Sequence, residues 1–364
     1  RTALGRFKDL RVAAPSSDVA APAEAVEALG ATYVIDGGVR RAGETVRVTV
    51  RLVEASGTQI WSDSFERELT ASNLFAIQDD ITTRVAVRIG GAAGIIIGEA
   101  ERVNRAIPTD DMDAYDCVLR TWAFMADVSS AEKHAELRAC NEAVVTGDPD
   151  YADAWANLAK LHNLEHLYGH NPLPNPLDRA AAAAQRAVTL DALSQEAAEA
   201  QAWTYFNRHE LEAFFLEAER AIALNPYDQD TVTNLAWQIA YAGRWERGIG
   251  ILEDALELNP EASAWIHIPL SINQFRLGDY QSALTESMMV NMPDYWRTWF
   301  VQTIALAQLG RMEEAEAALT RMLELYPGFA DDPRGECSKW NWSADMVERM
   351  LDGLRKAGLP ERTD

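Results

Sequence analysis

Between residues 33 and 68 polar and apolar side chains alternate. In "ETVRVTVRLVEA", Val46, Val48, Val50 and Leu52 fall on one side and Arg47, Thr49 and Arg51 on the other, the period of a half-buried strand. "ATYVIDGGVRRAG" before it and "TQIWSDSFERE" after it read as neighbouring strands, with turns at Gly43-Glu44 and Ser56-Gly57. Ahead of them "LRVAA" predicts a short strand, Pro22 to Leu29 a helix stopped by Gly30, and Arg1 to Lys8 the end of another helix. Then the period lengthens. Leu74, Ile77, Ile81 and Val85 recur at helical spacing, and helix is expected from Ala71 to Arg102. Residues 1–103 are thus expected to form an α+β unit.

From about residue 110 the pattern is helical, and it repeats. Pro226, Pro260, Pro293 and Pro327 follow one another at 34, 33 and 34 residues, the period of tetratricopeptide (TPR) helix pairs. Gly243, Gly278 and Gly310 fall at the turn inside a pair, and Ala283 and Ala315 five residues later, where only a small side chain fits between helices. Trp155, Leu158 and Ala159 reproduce the opening of such a repeat. Six pairs are predicted, over 111–149, 152–192, 194–226, 229–260, 262–293 and 296–327, with a capping helix at 344–358. Together they make an all-α array over residues 110–358. "GHNPLPNPLD" at 169–178 is an exposed loop, because three prolines forbid a continuous helix.

Composition narrows the function. The 364 residues carry a formal net charge of −23, which disfavours nucleic acid and anionic membranes as partners. No apolar run approaches the roughly 18 residues of a membrane-spanning helix, and no apolar leader follows Arg1. Cys117, Cys140 and Cys337 are sparse and odd in number, so buried free thiols are expected rather than a disulfide framework. Free cysteines and the absent leader favour the cytoplasm. Gly90, Gly94 and Gly98 recur every four residues, a spacing that allows close helix packing inside the chain or in a homodimer.

TPR arrays recognise partners on the concave face formed by the first helix of each pair. Counted from the glycines and prolines, Trp203, Phe206, Trp237, Tyr241, Trp265, Ile268, Phe275 and Phe300 fall in groove-facing positions, and Trp203 and Trp237 share one position in consecutive pairs. The cluster suits an apolar or aromatic peptide. On that reading Trp237→Ala abolishes capture of a partner and lowers the melting temperature little. Lys160 and Asn157 stand alone and do not make a carboxylate clamp. "LHNLEHLYGH" places His162, Glu165, His166 and His170 at metal-like spacing. A metal-dependent hydrolase is therefore the alternative, although His162 sits where TPR residues pack and Gly169 should end the helix before His170. No cofactor is expected, and no phosphate-binding loop is present.

The run "ALGRFKDLRVAAPSS" and, further on, "ALGATYVIDGGVRRAGETVRVTVRLVEASGTQIWSDSFERELTASNLFAIQDDITTRVA" resembles the TolB-like amino-terminal domain. That domain occurs in CadC-like bacterial regulators and in class III adenylate cyclases with carboxy-terminal TPR repeats. Its hairpin, Trp61 and the "LFAIQDDIT" helix start match in order, and "DAYDCVLRTWAFM" resembles the first TPR helix of the cyclase group. The family unit begins with a further strand and helix that do not precede Arg1, and the chain opens without Met, so a fragment of a longer polypeptide is expected. The resemblance implies a non-enzymatic sensory module that binds a protein or peptide and relays to an upstream output domain. That domain would be an adenylate cyclase, or a winged-helix DNA-binding domain in the CadC-like case, where the module would be periplasmic.

Overall fold

The computed structural model describes residues 2–8, 10–13, 26, 30–70, 72–91, 94–96, 113–125, 128, 130–260 and 263–360. The chain divides into two compact units, Arg1–Arg102 and Val103–Asp364.

The first unit holds an antiparallel sheet in the order β1 (Tyr33–Ala42), β2 (Thr45–Glu54), β3 (Gln59–Glu68). Ala42 pairs with Thr45 across a two-residue turn in which Gly43 takes φ 62°, a conformation that only glycine adopts without strain. The β2–β3 ladder is irregular between Leu52 and Val53. Helix α1 (Leu74–Ile89) covers one face, and Val46, Val50 and Phe65 pack there with Ile77 and Ile81. Buried Leu52 completes the alternation of β2, whose outer face carries Arg47 and Arg51.

Three expectations for this unit change. Residues 10–13 form no strand, Leu4–Arg6 is a single 3-10 turn, and α1 stops at Ile89, with Ile95 and Ile96 again helical and residues 97–102 outside the described residues. Most of the helix expected at Pro22–Leu29, and Gly98, lie outside the described residues. A Cβ on Gly90 would stand 2.5 Å from the Phe7 ring, and one on Gly94 would stand 2.1 Å from the Gly90 carbonyl oxygen. Both glycines serve close packing within the unit, and they do not continue a helical stripe.

The second unit is built of six helix pairs among the described residues: α2 (Ala114–Met125) with α3 (Ala131–Gly147), α4 (Ala152–Tyr168) with α5 (Pro176–Leu190), α6 (Gln195–Asn207) with α7 (Leu211–Leu224), α8 (Gln229–Tyr241) with α9 (Trp245–Leu258), α10 (His267–Leu277) with α11 (Tyr280–Met289), and α12 (Trp296–Gln308) with α13 (Met312–Leu325). A short α14 (Pro333–Ser338) and α15 (Ala344–Lys356) follow. Gly243, Gly278 and Gly310 take left-handed conformations at the turns inside pairs, and His209 does so in the third pair. Ala283 and Ala315 are fully buried. Gly248, five residues after Gly243, shows why: a Cβ there would meet the Ala236 carbonyl oxygen at 2.3 Å. Ser130, Ser194, Asp228, Asp279 and Ser343 cap helix starts by accepting a backbone N–H three residues on, worth about 1 kcal/mol each.

The cysteine expectation is overturned at two positions. α2 and α3 run antiparallel and bring Cys117 and Cys140 within a Cα separation of 6.0 Å, where they form a disulfide. Only Cys337 is a free buried thiol, and burial pushes it up to about 12. No helix among the described residues is long and apolar enough to cross a membrane.

Candidate binding cleft in the helical unit

A cleft opens among the first helices of successive pairs. Met125 of α2, Leu164 and Tyr168 of α4, Trp203 of α6, Asn234, Trp237 and Tyr241 of α8, and Ile268 and Pro269 of α10 contribute to its walls. Trp265 and Met292 complete the apolar lining, and Tyr295 and Arg297 enter at the start of α12. The helices converge because the array curls tightly. The Tyr168 and Tyr295 hydroxyls meet at 2.7 Å although they are 127 residues apart.

Of the groove residues expected from sequence, Trp203, Trp237, Tyr241, Trp265 and Ile268 come together in the cleft. Phe206, Phe275 and Phe300 do not reach it. Each is fully buried: Phe206 packs edge-on against Phe214 and Trp237, Phe275 against Tyr280, and Phe300 stacks on Trp342. Trp237 is itself 9 % exposed, so it belongs to the core as well as to the wall. Burial raises the phenol of Tyr241 to about 12 and that of Tyr295 well above its ordinary value. Both therefore stay neutral and keep a hydroxyl to donate.

Sequence reasoning missed two features. Trp340 and Trp342 lie in the segment between α14 and α15, outside the repeat period. They fold back onto the first helices, Trp340 against Trp237 and Tyr168, and Trp342 against Tyr241. Asn341 fixes the segment by donating to the Phe206 carbonyl at 2.9 Å. Part of the concave face is thus occupied by the chain itself. The second feature is Arg297, 5 % exposed. Its guanidinium carbon lies 3.7 Å from the centre of the Trp340 ring, and Nη2 donates to the Tyr241 hydroxyl at 3.4 Å. A signal existed. Arg297 stands thirteen residues before Gly310, as Trp265 stands thirteen before Gly278, so the repeat register already placed it in a cleft position.

The histidine cluster is built for a different purpose. Glu165 is fully buried and accepts from Arg138 at 2.9 Å, from Arg179, and from the Leu173 backbone N–H at 3.0 Å, while His162 Nδ1 lies 3.0 Å away. Burial alone would raise its pKa. The His162, Arg179, Leu173 and Arg138 contacts outweigh that and hold the carboxyl well below its ordinary range. His170 faces the Val128 carbonyl at 2.7 Å. Desolvation lowers His166 to about 4. No three His, Cys, Asp or Glu side chains among the described residues converge as a metal-binding group. Glu165 ties down the loop at 169–175 instead, the rest of the expected loop being the start of α5. Lys160 is equally engaged. Burial opposes its charge, but Glu196 at 2.5 Å and Glu199 keep it protonated above its ordinary value, and Asn157 donates weakly to the Val118 carbonyl.

No protein-family profile matches the chain. It is 29 % identical over 167 residues to "Putative adenylate cyclase 3" of Rhizobium meliloti (strain 1021). That stretch is 45 % of this chain, and the chain spans only 27 % of the relative's length. Among solved structures, the APC/C hetero-tetramer Cut9-Hcn1 superposes with a TM-score of 0.52 at 15 % identity, over 80 % of this chain and 54 % of that one. The human IFIT1 dimer with m7Gppp-AAAA gives a TM-score of 0.52 at 14 % identity, over 73 % and 64 %. These likenesses concern the fold alone, and the helical unit has the TPR-repeat fold.

Proposed function

We propose that the chain is a non-enzymatic sensory module of a bacterial signalling protein, an α+β unit of the TolB-like kind joined to a TPR array. The array recognises a partner on its concave face, and the module relays that event to an output domain of the adenylate cyclase class. The observation that carries this reading is the cleft: five consecutive helix pairs, from the first to the fifth, direct aromatic or apolar residues of their first helices into one space, and Tyr295 and Arg297 join them at the start of the sixth. Partial similarity to a putative adenylate cyclase supports the choice of output. The sheet unit presents exposed ion pairs rather than reactive groups, which suits docking and relay. The engagement of Glu165 by two arginines argues against the hydrolase alternative.

The disulfide bears on compartment. With Cys117 and Cys140 paired, free thiols no longer favour the cytoplasm, and an oxidising compartment suits the helical unit. Cytoplasmic placement now rests on the cyclase reading alone.

Antibodies against the helical unit test the assignment. The native polypeptide they precipitate should convert ATP to cyclic AMP, whereas the isolated chain should not. A precipitate that contains the chain and forms no cyclic AMP would overturn the cyclase assignment.

A further inference from the structure

Fourteen side chains line the cleft, and none is acidic, although the chain carries 56 Asp and Glu residues. Its one charge among the described residues is Arg297. Two other buried charges of the helical unit are answered by opposite ones. Lys160 meets Glu196 and Glu199, and Glu165 meets Arg138 and Arg179. No carboxylate among the described residues pairs with Arg297. Its partners are all neutral: the face of Trp340 and the hydroxyls of Tyr241, Tyr168 and Tyr295. None of these neutral groups balances the charge of the guanidinium, whose five N–H donors form a planar fork. Trp203 adds an unused donor: its indole nitrogen is buried without a partner, in a side chain only 8 % exposed that lines the same cleft.

A buried charge with no opposite charge beside it is unfavourable. Here the cost falls at the one place in the cleft where a ligand can remove it. We propose that Arg297 is the anion anchor of the cleft and that the ligand is a carboxylate borne on an aromatic or aliphatic body. The inference rests on the reading of the cleft as the recognition site. Chemistry sets the class. One guanidinium balances one negative charge, and its fork matches the two carboxylate oxygens. The other polar groups, Asn234 and the tyrosine hydroxyls, are neutral, so a phosphate dianion would bring an unbalanced second charge. Trp203, Trp237, Trp265, Ile268 and Met292 provide apolar walls for the rest of the molecule. The carboxylate can belong to a free organic acid or to the carboxy-terminus of a peptide with an apolar last residue.

Calorimetric titration of the whole chain with two matched pairs of probes decides the matter. One pair is indole-3-propionate and its amide. The other is a six-residue Gly/Ser peptide ending in Phe, with a free or an amidated terminus. A charge-assisted hydrogen bond is worth about 1.5–3 kcal/mol, so the acid of at least one pair should bind about 10- to 150-fold more tightly than its amide. Preference in the indole pair alone identifies a free acid as the source, and preference in the peptide pair a chain terminus. Arg297→Gln should abolish the preference while leaving amide binding unchanged, and Arg297→Lys should restore part of it. Equal binding of acid and amide in both pairs, or no binding of any probe at millimolar concentration, would overturn the proposal. If Arg297→Gln fails to fold, the comparison on the unmodified protein still decides. Failure here leaves the cyclic AMP result untouched, so the two readings fall separately.

Discussion

The sheet unit and the helical unit treat charge in opposite ways. On the sheet, Arg47 pairs with Glu66 and Arg51 with Asp36 across neighbouring strands, where Asp36 is half-buried and the other three are exposed. In the array the important charges are buried: Glu165 between two arginines, Lys160 between two glutamates, and Arg297 with no carboxylate among the described residues. Exposed pairs are screened by water and worth little. Buried ones depend on each partner, because removing one strands the other in low dielectric. The sheet can therefore exchange its charges at small cost, whereas the array cannot.

Substitutions can break this contrast. The largest effect should come from Trp237→Ala. The ring packs edge-on against Phe206 and Tyr241 at 5.4 Å and lies near Trp340 at 5.7 Å, so truncation should cost about 3–5 kcal/mol. A clear fall in melting temperature by calorimetry is expected, contrary to the small change that a purely groove-facing residue would give. Glu165→Gln should cost about 3 kcal/mol, since Arg138 and Arg179 lose their shared carboxylate. Denaturant unfolding would measure the loss, and faster proteolysis between residues 169 and 178 would locate it. An unchanged midpoint would mean that the buried network does not hold the loop.

The third expectation concerns pH. His166 is held neutral by burial, with a folded pKa of about 4 against an ordinary value near 6.5. The unfolded chain takes up the proton first, so stability should fall as pH drops from about 6.5 towards 4. His134 and His170 are lowered in the same direction, so His166→Gln should flatten the profile of melting temperature against pH without abolishing its slope. The smallest effect belongs to the sheet. Arg47→Ala should change stability by less than about 1 kcal/mol, and a larger loss would mean that the sheet charges resemble those of the array.

Much of the helical fold was legible because it is written locally. The proline period and Gly243, Gly278 and Gly310 mark turns that only particular backbones can make, and alternation in β2 needs no knowledge of distant residues. What escaped depends on where separated elements meet. Cys117 and Cys140 pair only once α2 and α3 are set in register. The start of α12 reaches the end of α4 only through the accumulated curl of the intervening pairs, so the enclosure around Arg297 could not be read from one repeat. Trp340 and Trp342 sit outside the period and gave no phase to count from. The packing of Gly90 against Phe7 joins residues far apart in sequence and left no local mark.

The hydroxyl contact between Tyr168 and Tyr295 changes how the array comes apart. In an open stack of repeats each pair touches only its neighbours, and unfolding can begin at one end and proceed pair by pair. Joining the second pair to the sixth turns that line into a circuit. Fraying at either end meets a link that the far side of the ring must also release. The pairs between them are then expected to melt as one cooperative block, in a single transition that an equally long open stack would spread over several steps.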